Sequence, residues 1–551
     1  MIMYFLIYMW NLMFFSLMFF MFSIYLKMMN FILYFEWEIF YFDSMNFFMV
    51  FFFDWLTFLF ISIVFFITFI VMLYSIDYMY NEKYIKGFYL IMFLFVLSMF
   101  FMLVSPNLMS ILLGWDLLGL TSFCLVIYYS SINSLNSGII TFISNRVGDV
   151  LLLISSSFML MYGSMNLFLW DEMNKILLFL ILLVSLTKSA QLPFSVWLPK
   201  AMAAPTPVSS LVHSSTLVTA GVYLDFRYSI ISQQWGKYLI FLSLFTMILS
   251  GFMAWLEYDF KKVIAYSTLS QLGLMMMILS INLKFFCMFH LMMHALFKSM
   301  LFMSAGMIIH NMYGLQDLRF MGSLVFKMPF VIMILNLSNL SLCGMPFLSG
   351  FYSKDLIFEI MFMKENNFFL LILLFLGMML TFMYTLRLMK FLLVNKNFKS
   401  VFIIEKMKFM FLSLLILSIL SILGGSMFFW LFYFDLEIIY LNFKFKLIIY
   451  VLFIYSMFLF NLKFSMNYFI KFILMMFNLE YMYMYMSFLF LKMSKILFKS
   501  YDLYMFGDYL MFILFQNLSY MMNFYKLKFL FLINYLIFLM KFFFFFFFLC
   551  M

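Results

Sequence analysis

Long apolar runs separated by short polar breaks repeat along most of the chain. Read as spans, they fall near 2–26, 47–73, 88–104, 107–129, 137–162, 176–200, 205–227, 238–256, 262–281, 285–310, 328–363, 368–393, 409–425, 447–462 and 526–550. A membrane-crossing helix needs about 20 mostly apolar residues, and most of these runs meet that length. The runs are continuous rather than alternating, which excludes a β-barrel, whose apolar positions recur every second residue. The pattern therefore predicts an all-α, polytopic membrane protein of about fifteen transmembrane helices.

Two runs are irregular. Thr187-Lys188-Ser189-Ala190-Gln191-Leu192-Pro193 places polar residues and a proline inside one span, with Pro199 beyond. Cys343-Gly344-Met345-Pro346-Phe347-Leu348-Ser349-Gly350 interrupts another and leads into Lys354-Asp355. Proline removes a helical hydrogen bond and glycine weakens the helix further. Freed backbone groups survive at membrane depth only where protein or a wet cavity satisfies them. Two broken helices in two halves of a chain suggest a transport site between inverted repeats.

Composition reinforces the membrane reading and adds an origin. The chain is 68% hydrophobic and 10% charged, far from the balance of a soluble domain. Phe (87) and Met (60) dominate while alanine occurs nine times. The preferred residues have A/T-rich codons, a habit of animal mitochondrial genomes, so the inner mitochondrial membrane is the expected location. The first 26 residues lack a basic leader and a small-residue cleavage site. A formal charge of +10, concentrated in the C-terminal third, fits anionic lipid headgroups and not nucleic acid, since no soluble basic domain exists to bind it. Cys124, Cys287, Cys343 and Cys550 are scattered without CxxC spacing, so an iron–sulfur or zinc site is not supported. GxGxxG and P-loop sequences are lacking too. Any redox chemistry coupled to this chain runs elsewhere.

The chemistry-bearing residues are clustered. All seven prolines lie between 106 and 346, all nine alanines between 190 and 305, and all four histidines between 213 and 310. The chain thus divides into N-terminal helices (1–104), a working core (105–395), further helices and linkers (396–480), an interfacial segment (481–525) and a terminal anchor (526–551). Within the core, Asp116, Lys188 and Lys298 fall inside predicted spans. A charge at the bilayer centre costs at least about 2.5–3.5 kcal/mol, so these side chains must face the bundle interior. His290, His294 and Lys298 are spaced i, i+4, i+8 on one helix face. A His-x3-His pair invites a metal, yet no carboxylate accompanies it on that helix; a proton relay through His294 is the favoured reading, with a satisfied core histidine the alternative for His290. Burial disfavours a charged lysine and a nearby carboxylate restores it, so moving Asp116 relative to Lys188 would make the amine hold or release a proton.

Several motifs appear together and in order. Leu113-Gly114-Trp115-Asp116, Asn145-Arg146-Val147-Gly148-Asp149, Lys188-Ser189-Ala190-Gln191 and Trp197-Leu198-Pro199 come first. Pro205-Thr206-Pro207-Val208-Ser209, His213-Ser214-Ser215-Thr216 and Ser267-Thr268-Leu269-Ser270-Gln271-Leu272-Gly273 follow. His294-Ala295-Leu296-Phe297-Lys298 and Gly350-Phe351-Tyr352-Ser353-Lys354-Asp355 complete the set. Over about 105–360 the chain resembles the chain 5 family of mitochondrial NADH–ubiquinone oxidoreductase, antiporter-like membrane subunits of respiratory complex I. The resemblance implies a proton-translocating subunit with Asp116 as acidic partner of Lys188, and His213 and His294 as relay residues. It implies Lys298 as the central lysine and Lys354, beside Asp355, at the terminal exit. Asp116 stands where the family usually has glutamate. No cofactor is expected in this chain; NADH, FMN, iron–sulfur clusters and ubiquinone would belong to other subunits. Expected partners are the neighbouring antiporter-like subunits of the membrane arm and membrane lipids. A freestanding proton/cation antiporter shares the same core, and a scaffold held together by static ion pairs is a third reading.

The interfacial segment has its own pattern. Lys492, Lys495, Lys499 and Asp502 are spaced 3, 4 and 3 and line one helical face, with Leu491, Ile496, Leu497, Phe498 and Leu503 on the rest. A spanning helix would bury that stripe, whereas a helix lying along the membrane keeps it wet. The resemblance gives such a segment a place beside neighbouring subunits.

Overall fold

A computed structural model of the chain describes residues 2–42, 45–167, 175–228, 230–322, 324–364, 367–394, 407–432, 440–442, 446–459, 488 and 491–495. The chain divides into one compact unit, residues 1–366 with 372–467, and a second, 367–371 with 468–551. Almost all of the predicted interfacial segment and the whole terminal anchor lie outside the described residues.

In the first unit, α1 (Ile2–Met29) leads into an antiparallel hairpin of β1 (Leu33–Phe42) and β2 (Met45–Phe53), paired from Leu33 opposite Phe53 to Trp37 opposite Met49. The register slips between Glu38 and Phe40. This hairpin is absent from the sequence expectation, which merges 47–53 with the following helix. The helix α2 (Trp55–Tyr78) in fact starts only after Asp54, whose backbone N–H donates to the Thr57 hydroxyl at 3.0 Å. Helices α3 (Ile85–Val104), α4 (Leu108–Val126) and α5 (Ile132–Leu160) follow. Asn107 caps α4 by accepting from the Met109 N–H.

Both expected breaks are present. Helix α6 (Lys175–Lys188) stops at Lys188, and an irregular stretch passes through α7 (Trp197–Lys200) into α8 (Thr206–Leu211). A π-helical turn, Val212–Thr216, then joins α8 to α9 (Leu217–Arg227). The expected continuous span 205–227 is therefore also irregular, at a place with neither proline nor glycine to announce it. After α10 (Ile230–Leu256), α11 (Phe260–Ser280) and α12 (Lys284–Asn311), the second break divides the predicted 328–363 into α13 (Pro329–Cys343) and α14 (Ser349–Lys364). Gly344 ends α13 at φ +82°, a left-handed conformation that glycine adopts without a Cβ penalty. Helix α15 (Phe368–Met389), a π turn at Lys390–Val394, α16 (Lys408–Phe432) and α17 (Ile448–Leu459) complete the described elements.

Ten of the described helices are long and apolar enough to cross a membrane, and two shorter apolar ones, Pro329–Cys343 and Ile448–Phe458, add to them. The centre of the bundle is formed by α2, α11 and α12, with α11 buried at every position but Lys262. The outer helices present apolar side chains outward: Leu113, Leu117 and Leu120 on α4, and Val150, Leu153 and Ile154 on α5, are exposed. That surface suits lipid or a membrane partner and would be unstable in water. Many buried serines are satisfied along their own helices, as Ser62 to the Leu59 carbonyl and Ser98 to the Phe95 carbonyl, at 2.7 and 2.6 Å. Hydroxyl content therefore does not by itself mark a path.

Candidate functional site

The first break positions Lys188. It is the last residue of α6, fully buried, and its Nζ donates to the Trp115 carbonyl at 3.3 Å while lying 5.1 Å from the Trp115 ring centroid. The carbonyl end of a helix favours a cation. The freed backbone has partners nearby: the Trp197 indole donates to the Thr187 carbonyl at 3.0 Å, and the Ser189 N–H to the Ser185 carbonyl at 2.9 Å. Gly221 admits α9 against this bend, since a Cβ there would stand 2.5 Å from the Ser185 carbonyl oxygen.

The carboxylates are arranged differently from the expected Asp116–Lys188 pair. Asp116 pairs with Arg146 at 3.3 Å, both side chains about one-third exposed (35% and 34%). Arg146 also pairs with Asp149 at 2.9 Å, and that carboxylate is buried. Among the described residues no ion pair joins Asp116 to Lys188. Both carboxylates act on Lys188 electrostatically, Asp149 more strongly than Asp116. The reason is positional: Asp116 follows Trp115 on α4 and turns toward Arg146, while Asp149 sits on the buried side of α5. Gly148 lets α5 approach Trp115 and Thr187, because a Cβ there would meet the Thr187 hydroxyl at 2.5 Å and the Trp115 indole nitrogen at 3.5 Å. Asp149 is the main site residue without an assigned role in the sequence reading, although it carries the same signal as Asp116, a carboxylate inside a predicted span.

From the first break the polar row continues toward α12. His213 lies in the π turn, buried, with its ring 6.1 Å from that of Trp197. His294 is buried on α12 and lies near the backbone of Ser214 in the same turn. Among the described residues, neither imidazole has a well-formed hydrogen bond at either nitrogen. One helical turn on, Lys298 is fully buried and its Nζ donates to the Ser267 hydroxyl on α11 at 2.6 Å. Ser270 and Gln271 of α11, with the Tyr384 hydroxyl of α15, extend this polar strip. His290 is one turn away in the other direction, and its Nδ1 is 3.0 Å from the Ser353 hydroxyl of α14.

The second break positions Lys354. It is fully buried on α14 and its ammonium donates back to the Leu342 carbonyl near the end of α13. Asp355 is half-buried beside it, with Oδ1 unpartnered among the described residues. Gly344 packs against both, since a Cβ there would stand 3.6 Å from Asp355 Oδ1 and 3.7 Å from Lys354 Cβ. The Cys343 thiol and Thr385 hydroxyl are 3.0 Å apart next to this site. Cys287 shares α12 with the histidines, but its thiol contacts the Met275 carbonyl at 3.5 Å. Among the described residues no group of three or more His, Cys, Asp and Glu is placed to hold a metal. The arrangement brings titratable groups into the buried interior, with Lys188, Lys298 and Lys354 each held by a carbonyl or a hydroxyl.

Comparisons with known proteins point the same way. Residues 105–381 match the family described as NADH:quinone oxidoreductase/Mrp antiporter, TM, and residues 37–89 match that described as NADH-Ubiquinone oxidoreductase (complex I), chain 5 N-terminus. The chain is 48% identical over 427 residues to NADH-ubiquinone oxidoreductase chain 5 of Locusta migratoria, covering 76% of this chain and 75% of that one. To the same-named protein of Aedes aegypti it is 46% identical, covering 79% and 77%. Among solved structures, an Mrp complex from a Dietzia species aligns with a TM-score of 0.70 at 25% identity, over 81% of this chain and about half (52%) of the other. An archaeal membrane-bound sulfane sulfur reductase shares the fold at a TM-score of 0.60 and 20% identity.

Proposed function

The chain belongs to the chain 5 family of NADH–ubiquinone oxidoreductase, and we propose that its buried lysines and histidines form the proton path of this proton-translocating membrane subunit. The observation that carries this reading is the row of three fully buried lysines, Lys188, Lys298 and Lys354, two of them at helix breaks and one beside two buried histidines. So many amines at membrane depth are too costly to be incidental.

In this reading Lys188 is a switch. Asp149 and Asp116 share Arg146, so a small shift of the guanidinium toward one carboxylate frees the other to act on Lys188. A swing of about 3 units in proton affinity is worth about 4 kcal/mol. Moving one charge through a membrane potential costs about 2.3 kcal/mol per 100 mV, so the switch is large enough to be useful. His213 and His294 pass the proton from the first break to Lys298, and Lys354 with Asp355 delivers it at the far end.

We infer that electron transfer from NADH to ubiquinone, with FMN and iron–sulfur clusters, belongs to other subunits, since the four cysteines of this chain are scattered. The apolar outer faces meet the neighbouring antiporter-like subunits and lipid of the mitochondrial inner membrane. A freestanding cation antiporter is the less favoured reading, because the matched relatives are chain 5 proteins over three-quarters of both lengths. The test is Lys188→Met in the intact complex reconstituted into vesicles. Assembly should persist while protons moved per electron fall sharply; normal pumping would overturn the switch.

A further inference from the structure

Asn145 has no role in the path described above, yet it shares a space with the Lys188 amine. It lies on α5 and is 3% exposed. Its Oδ1 is buried and has no hydrogen-bond partner among the described residues. Gly119 of α4 marks where the two side chains meet: a Cβ there would stand 3.8 Å from Asn145 Cβ and 3.8 Å from Lys188 Nζ. The Gly119 position thus touches both residues, and glycine keeps a side chain of α4 out of the space they share.

The lysine has donors to spare and a loose hold on its present partner. An ammonium carries three N–H donors. Among the described residues the hydrogen bond of Lys188 is the one to the Trp115 carbonyl, and at 3.3 Å it is longer than the usual range. On α5, Asn145 and Asp149 are four residues apart and so share a helix face, and both are buried. Asp149 also has an unpartnered Oδ1 among the described residues, and it is the carboxylate that acts most strongly on Lys188. A buried amide oxygen is costly to leave unpaired. A purely structural asparagine would have its oxygen satisfied; this one is held as a free acceptor beside an under-used ammonium.

We infer that Asn145 is a positioning residue for Lys188, its amide oxygen serving as the second acceptor of the ammonium across the space that Gly119 keeps open. The inference rests on the proposed role of Lys188. The flexible stem of the lysine carries the ammonium from the Trp115 carbonyl to the Asn145 amide, exchanging one carbonyl acceptor for another. No covalent bond is made or broken in the move. At Trp115 the ammonium is held by backbone and ring; at Asn145 it is one helical turn from Asp149, the carboxylate that favours its charged form.

The experiment compares Asn145→Leu, Asn145→Asp, Gly119→Ala and Lys188→Met in the intact complex reconstituted into vesicles, scoring assembly and protons moved per electron. Leucine has a similar shape but removes the acceptor, whereas aspartate keeps both shape and acceptor. Gly119→Ala places a methyl group in the shared space at ordinary contact distance, so that complex should assemble. Losing an acceptor for a charged donor should lower the proton yield by about twofold or more in Asn145→Leu, and blocking access to it should do the same in Gly119→Ala. Asn145→Asp should retain more of the yield than Asn145→Leu. Because both changes stop the same move, Gly119→Ala with Asn145→Leu should be no worse than the poorer single variant. If Asn145→Leu fails to assemble, Gly119→Ala decides, since an asparagine needed only for packing would leave its yield normal. A normal yield from Gly119→Ala or from assembled Asn145→Leu, with Lys188→Met defective, overturns the role of Asn145 alone. A normal yield from Lys188→Met overturns the underlying switch instead.

Discussion

The two helix breaks place a lysine in the same kind of setting and control it by different means. At the first, Lys188 donates to the Trp115 carbonyl and lies over the Trp115 ring, while two carboxylates and a guanidinium act on it from α4 and α5. At the second, Lys354 is bonded to the Leu342 carbonyl of its own break, and its neighbouring carboxylate, Asp355, is adjacent in sequence. The first lysine can be regulated by motion between helices, because its charged neighbours belong to other elements. The second moves together with its carboxylate. In the proposed path the first lysine therefore takes the switching role and the second the delivery role. The backbone is closed differently too: a side chain, Trp197, satisfies the first break, whereas the left-handed turn at Gly344 closes the second.

Glycines at the breaks provide the harshest test of this contrast. A Cβ at Gly350 would overlap the Ser341 carbonyl oxygen, and one at Gly221 would come within 2.5 Å of the Ser185 carbonyl oxygen. Backbone atoms cannot yield as side-chain ends do, so each alanine substitution should cost about 1–3 kcal/mol, with Gly350 the more severe. Gly350→Ala should prevent assembly outright and Gly221→Ala should reduce it, as read from the amount of intact complex on native gels. Gly119→Ala is the control, with 3.8 Å to Lys188 Nζ and room to spare. Full assembly of Gly350→Ala would show that the second break is looser than described.

Between the breaks, Lys298 depends on a hydroxyl instead. Ser267→Ala would leave its ammonium without that partner, at a cost of about 1–3 kcal/mol. We expect intact complex with a reduced proton yield, and recovery in Ser267→Thr, which keeps the hydroxyl. An unchanged yield in the alanine variant would mean that Ser267 is dispensable to the path. Ser353→Ala, which removes the partner of His290 and a hydrogen bond to the Gly350 carbonyl, should do less.

The membrane character, the two main breaks and the buried lysines are legible in sequence because lipid makes polar groups conspicuous. Lys188, Lys298 and Lys354 stand out since a charge in an apolar run has few places to go. The hairpin at 33–53 is not legible: its Phe-rich second strand looks like the start of the next helix, and only Asp54 marks the boundary. The π turn at 212–216 is hidden because His-Ser-Ser-Thr contains no helix breaker. Partner choice is the least legible of all. Asp116 precedes Asp149 and resembles the expected partner of Lys188, but which carboxylate faces inward depends on how α4 and α5 are rotated against each other.

That rotation yields the finest distinction. Asp116 and Arg146 are each about one-third exposed, and such pairs contribute roughly 0–1 kcal/mol. Asp116→Asn should therefore change stability little, and Arg146 keeps Asp149 as its partner. Asp149 is buried, closer to Arg146, and the stronger electrostatic neighbour of Lys188. Replacing it with asparagine preserves shape but removes the negative charge that steadies the lysine's proton. We expect Asp149→Asn to lower protons moved per electron more than Asp116→Asn, with both complexes assembled. The double variant should equal the sum of the two if the carboxylates act independently, and depart from that sum if Arg146 links them. Should Asp116→Asn prove the more damaging, Asp116 is the working partner of Lys188 and the buried carboxylate is structural.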